Sequence, residues 1–251
     1  MTHTYLSLTG DLSERCPALS CRSMLADDAT GCLFEELDDA TAAALTARIP
    51  ARKSDFATGA FWRSRYDAEA HATGLANAAY DWYSSLSAAT FVAEALLHGA
   101  RLALGDVVLH VGCGTSSWGP LLQRLGCCVL DTDIDPALLA RLARGRMRRT
   151  TCSCEHVALS ALRPALRPGC VDCVVDKGTL DALCAGGFAL AARAVEALIS
   201  VLSPGGTAYF VSARPAELLC GILCLGEREW SRDAKVVFLG EVGIVVIPRP
   251  Q

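Results

Sequence analysis

The sequence predicts an α/β protein built on a mostly parallel sheet with helices on both faces. Three observations carry that prediction. Short apolar runs of strand type alternate with helical patterns between residues 107 and 212. One run, beginning at Asp106 and ending at Val111, leads into a glycine turn, Gly112-Cys113-Gly114. Two others end in acid, at Asp133 and at Asp176. The carboxyl edge of the strands is where ligands bind in open sheets of this kind.

Taken in order, residues 1–50 read as an N-terminal extension, partly disordered or loosely docked, and residues 51–251 as the folded domain. Within the extension an acidic stretch (Glu35, Glu36, Asp38, Asp39) leads into a short helix up to Ala47, which Pro50 stops. Aromatics then mix with charges: Phe56, Phe61, Trp62, Arg65, Tyr66, and later Tyr80-Asp81-Trp82-Tyr83. A helix over about 85–104 precedes strand 107–111, helix 117–125, strand 128–132 and helix 136–146. A weak strand near 153–157, strand 171–175, helix 188–202 and strand 207–212 complete the parallel part. Two further strands of open register close the chain, around 230–238 and 242–248.

A net charge of −4 argues against duplex nucleic acid as a partner, because phosphates attract a basic footprint. The local exception is Arg141, Arg144, Arg146, Arg148 and Arg149, which reads as a solvated helix face or a dock for an acidic protein surface. No run of 18 uncharged apolar residues suggests a membrane span. With no secretory pattern at the start, a reducing, cytoplasmic setting is expected. The thirteen cysteines therefore read mainly as small core residues. Cys170-x-x-Cys173 straddles a strand, where side chains three apart face opposite ways, so no metal site is expected.

The glycine turn and the two acids define the chemistry. Glycines let the backbone approach a ligand where a Cβ would collide. Asp133 lies 21 residues beyond Gly112, the spacing at which a carboxylate takes both hydroxyls of a ribose. The dinucleotide fingerprint is left incomplete, since Trp118 intervenes before Gly119. A pyrophosphate needs a small-residue helix start with free N–H groups. S-adenosylmethionine has a ribose and no phosphate, so the pattern favours a methyl donor over NAD. His110, mid-strand among apolar residues, reads as a satisfied core histidine rather than a base.

These residues resemble the class I S-adenosylmethionine-dependent methyltransferases. More narrowly they resemble the lysine methyltransferases that modify translation elongation factor 1 alpha. The resemblance runs from about residue 50 to 206 and is carried by Phe61-Trp62-x-x-Arg65-Tyr66, Asp81-Trp82-Tyr83, the Gly112 turn, Asp133-Ile134 and Asp176-Lys-Gly-Thr-Leu-Asp-Ala-Leu183. It implies a seven-stranded Rossmann-like sheet with a C-terminal antiparallel strand. It also implies cofactor contacts from Trp62, Tyr66, Trp82, Gly112, Cys113, Gly114, Asp133, Ile134, Ala158, Leu159 and Lys177. The chain departs from its relatives at Ala158, where they carry an acid, and at Thr115, where they carry Asn or Asp.

Methyl transfer from a sulfonium to lysine requires a neutral amine held in line, which a carboxylate and a dry slot provide. Asp176 is the candidate for that carboxylate; its alternative roles are to pair with Lys177 or to cap the helix that Thr179 opens. The expected activity is protein-lysine N-methylation, with an elongation factor as substrate. A small-molecule methyltransferase and a non-catalytic scaffold that binds the donor are the alternatives.

Overall fold

A computed structural model describes residues 52–73, 80–83, 86–87, 89–92, 105–145, 154–158, 166–215, 234–239 and 242–249. The N-terminal extension, most of the helix expected over 85–104 and most of the arginine cluster lie outside them. A 3-10 turn, Lys53–Ala57, precedes helix α1, Gly59–Thr73. The Thr58 hydroxyl accepts the Phe61 N–H at 3.3 Å and so caps the start of α1.

Strand β1 (Val107–Val111), helix α2 (Trp118–Arg124), β2 (Cys128–Asp133), α3 (Pro136–Gly145) and β3 (Cys154–Ala158) follow. Then come β4 (Val171–Lys177), α4 (Thr179–Gly186), α5 (Phe188–Val201), β5 (Leu202–Ser212), β6 (Lys235–Leu239) and β7 (Val242–Pro248). They build one mixed sheet in the order β3-β2-β1-β4-β5-β7-β6. The first five are parallel, whereas β7 runs antiparallel to both β5 and β6. The strand order turns outward in opposite directions from β1 and β4, the switch point at which doubly wound sheets hold ligands.

Period-two alternation divides the apolar residues into two cores. Val108, Val129, Cys173, Val175 and Tyr209 pack with Trp118, Leu122 and Phe91 on one face. Leu109, Val111, Val174, Ala208 and Phe210 pack with Leu180, Val195 and Leu198 on the other. Trp118 is therefore a core residue rather than an obstacle beside the ligand: its ring stacks on Phe91 with centroids 4.4 Å apart.

At the β4 end the sequence suggested Thr179 as the helix cap. The structure gives that role to Asp176, whose carboxylate oxygens accept the Leu180 N–H at 3.2 and 3.1 Å. Thr179 instead donates its hydroxyl to the Val111 carbonyl at 3.0 Å, joining α4 to β1.

This junction explains Gly112. Its φ of +55° is in the left-handed region, and a Cβ there would lie 1.9 Å from Thr179 Oγ1. Gly112→Ala should lower stability by about 2 kcal/mol or more, because overpacking and a disfavoured φ act together. Urea unfolding monitored by circular dichroism would measure it, and an unchanged midpoint would refute the close contact.

Candidate cofactor site

A cavity of about 410 Å³ opens at the carboxyl edge of the sheet, above β1, β2 and β4. Its size suits a nucleoside-scale ligand. Trp62, Tyr66, Trp82, Gly112, Cys113, Gly114, Asp133, Ile134 and Lys177 all line it, so the structure brings nine of the sequence-predicted site residues together. Ala158 stands on β3 directly beside Asp133 in the ladder, and Leu159 lies outside the described residues.

Asp133 is buried. Its Oδ2 accepts the Gly114 N–H at 3.0 Å and the Tyr66 hydroxyl at 3.1 Å, while Oδ1 accepts the Asp135 N–H at 3.0 Å. Burial pushes its carboxyl above the ordinary value, and these donors oppose the rise. Tyr66 belongs to an aromatic wall in which Trp62 stacks on it at 5.8 Å and meets Trp82 edge-on at 6.1 Å. The Trp62 indole N–H donates to the Phe56 carbonyl at 2.6 Å, which fixes the 3-10 turn against α1.

Behind the wall, Arg65 and Glu69 are both buried and joined at 2.7 Å. The guanidinium lies over the rings of Tyr80 and Trp82, 4.8 and 5.2 Å from their centroids. Glu69 also accepts the Thr115 hydroxyl at 3.2 Å. Thr115 thus braces the glycine turn against α1.

A second carboxylate, Asp81, went unassigned in the sequence. It accepts the hydroxyls of Ser116 and Ser117, each at 2.6 Å, the Ser117 N–H at 3.3 Å, and the ammonium of Lys177. Burial pushes Asp81 up, but the Lys177 charge and these donors more than offset it and hold the carboxyl below its usual range. Burial lowers Lys177 below the ordinary lysine value, with Asp81 opposing. Lys177 also sits 4.6 Å above the Trp118 ring.

A third group closes the β4 side. Asp181 accepts the Tyr83 hydroxyl, the Ser212 hydroxyl at 2.6 Å and the Arg214 Nε–H at 3.0 Å. Tyr83 holds a φ of +60°, unusual for a side chain other than glycine, and its ring packs over Gly178.

Asp176 does not belong to this surface. Successive strand residues face opposite ways, so Lys177 points to the Trp118 side and Asp176 points beneath α4. It is 1% exposed and is absent from the cavity lining, and burial pushes its carboxyl up to about 8. The expectation that Asp176 aligns the acceptor is thereby replaced by a helix-capping role.

Residues 109–210 match the family model described as a methyltransferase domain, and S-adenosylmethionine is the cofactor. The buried Asp133 and the glycine turn beside the cavity fit that ligand.

Among curated proteins it is similar to the mitochondrial citrate synthase-lysine N-methyltransferases of Pongo abelii and Homo sapiens. Their identities are 29% and 28% over 167 residues, 61% of this chain and 70% of each relative. Two solved structures also overlap it. A methyltransferase from Pyrococcus furiosus is 17% identical, with a TM-score of 0.49, over 76% of this chain and 97% of its own. The N-methyltransferase NodS from Bradyrhizobium japonicum with S-adenosyl-L-homocysteine is 17% identical, with a TM-score of 0.46, over 85% of this chain and all of its own.

Two measurements test the site. Asp133→Ala should weaken S-adenosyl-L-homocysteine binding at least about tenfold by calorimetry, since a hydrogen bond to a charged group is worth about 1.5–3 kcal/mol. Equal affinity would remove Asp133 from the ribose contact.

For Asp176 the sign follows from linkage. Between its ordinary value, near 4, and about 8, the folded protein holds a proton that the unfolded chain has lost. Stability attributable to this group is present below that window and is lost as pH rises through it. The melting temperature should therefore fall more steeply from about pH 5 to about pH 9 in the wild type than in Asp176→Asn. Parallel curves would show that Asp176 is not the buried neutral acid.

Proposed function

We propose that the chain is a protein-lysine N-methyltransferase. The observation that supports this reading most strongly is the alignment, over 167 residues, with enzymes named for methylating a lysine of another protein. The donor supplies an electrophilic methyl group, and the protein's task is to align a neutral amine with it and to exclude water.

On this reading the ribose end lies at Asp133 on β2 and the reacting end extends toward β4 and α4. There the cavity wall is formed by Ala57, Ala182, Leu183 and Ala185, small and apolar side chains that fit the stem of a lysine. Burial of the stem against those side chains favours the uncharged amine. Asp181, fixed by Tyr83, Ser212 and Arg214, is the carboxylate on the same side and takes the orienting role first expected of Asp176.

Relatives that act on citrate synthase favour a metabolic enzyme over an elongation factor as the acceptor. Nothing in the comparisons supports the elongation factor. The full-length protein, radiolabelled donor and a cell lysate, with purified citrate synthase and elongation factor 1 alpha assayed in parallel, test both points. Label on lysine of one protein band is expected, with citrate synthase the first candidate. Label confined to the small-molecule fraction would overturn the reading.

A further inference from the structure

On the protein-lysine reading, on which this step rests, we infer that Lys53 determines which lysines are accepted. The lysine it admits lies beside an aspartate or glutamate on the surface of the acceptor protein.

Lys53 opens the 3-10 turn and lines the cavity, yet it is exposed. It therefore stands at the mouth, where the cavity meets solvent. The turn that carries it is fixed from two sides. The Phe56 carbonyl accepts the Trp62 indole N–H at 2.6 Å, and the Asp55 carbonyl accepts the Thr58 hydroxyl and N–H at 2.7 and 2.9 Å. Opposite them Ala57 comes against α4 at Gly186, where a Cβ would lie only 2.5 Å from the Ala57 Cβ. The turn and α4 thus frame the side of the mouth that carries the small apolar wall.

The other charged groups of the lining are engaged. Asp181 pairs with Arg214, Lys177 with Asp81 and Glu69 with Arg65, while Asp133 accepts from Tyr66 and Gly114. Lys53 has no carboxylate partner among the described residues. Arg52 beside it is exposed as well, against one half-buried carboxylate, Asp55, on the same turn. On a chain of net charge −4, the rim of the mouth at this turn is locally cationic.

That sign selects the substrate. A target lysine arrives as an ammonium and must pass Lys53 before it reaches the apolar wall and Asp181. Two ammonium groups brought together repel, whereas a carboxylate next to the target lysine pairs with Lys53 and makes the approach favourable. One group thereby rejects lysines in basic surroundings and accepts those in acidic ones. Because Lys53 is exposed, its effect falls on encounter and KM rather than on kcat, and salt weakens it.

Full-length protein, radiolabelled donor and the proteins of a cell lysate test this. At low salt Lys53→Glu should cut the label on protein about tenfold, and Lys53→Arg should keep it within about twofold. Affinity for S-adenosyl-L-homocysteine, measured by calorimetry, should stay within about twofold in both variants. With the labelled protein purified, the loss in Lys53→Glu should lie in KM and shrink as salt rises from about 0.05 M to about 0.5 M. Mass spectrometry should place the label on a lysine with an adjacent acid. Changing that acid to lysine should make the protein a better substrate for Lys53→Glu than for the wild type.

Equal labelling by the wild type and Lys53→Glu, a loss confined to kcat, or a labelled lysine with only neutral or basic neighbours would overturn the proposal. So would a matching fall in S-adenosyl-L-homocysteine affinity, which would put Lys53 on the donor's carboxylate instead. A wild-type protein that binds S-adenosyl-L-homocysteine but labels no protein would refute the protein-lysine reading itself, and the role of Lys53 with it.

Discussion

The ion pair between Asp81 and Lys177 is the contact on which the rest of the site depends. It joins two stretches 96 residues apart, the leading segment and the end of β4. The same carboxylate gathers Ser116 and Ser117, so it also clamps the glycine turn after β1. A pair with Lys177 buried and Asp81 half-buried is weak evidence for net stability, since much of its hydration is lost. Its worth lies in geometry: with several donors on one carboxylate, the turn, the strand end and the aromatic wall have one mutual arrangement. Loss of either partner would strand a buried charge and release all three.

Around that clasp, polar and charged groups of the site are used in pairs. Arg65 with Glu69 stiffens α1, Asp181 with Arg214 fixes α4 against β5, and His110 with Asp131 links β1 to β2. Each pair satisfies groups that burial would otherwise penalise heavily. The cavity thus offers a ligand preset dipoles and aromatic faces rather than mobile ions, and little rearrangement is needed to receive one.

Much of this was legible in the chain itself. Alternating apolar runs located the strands and helices of the described sheet to within a few residues, except that β5 begins at Leu202 rather than 207 and β6 at Lys235 rather than near 230. The distance from Gly112 to Asp133 put that carboxylate beside the glycine turn in the cavity, since strand, turn and helix lengths are local quantities. Asp176 was misread because two adjacent charges at a strand end look alike in sequence, while the pleat sends them to opposite faces. The parity of Val174 and Val175 with their neighbours carried that signal. The partners of Asp81 and Asp181 were not legible, because they lie far along the chain and no local period encodes such contacts. His110 was read as a satisfied core residue, and its bond to Asp131 agrees with that; its place in the cavity floor required the fold.

The contact between Gly119 and Asp131 also bears on how such a sequence can drift. Any side chain at position 119 needs the carboxylate at 131 to move, shrink or leave, since only 2.6 Å separates it from a Cβ. A smaller residue at 131 would in turn deprive His110 of its buried hydrogen-bond partner. The three positions on α2, β2 and β1 are therefore epistatic: changes tolerated jointly are penalised singly, and the order in which they arise decides whether each intermediate sequence still folds around a competent floor.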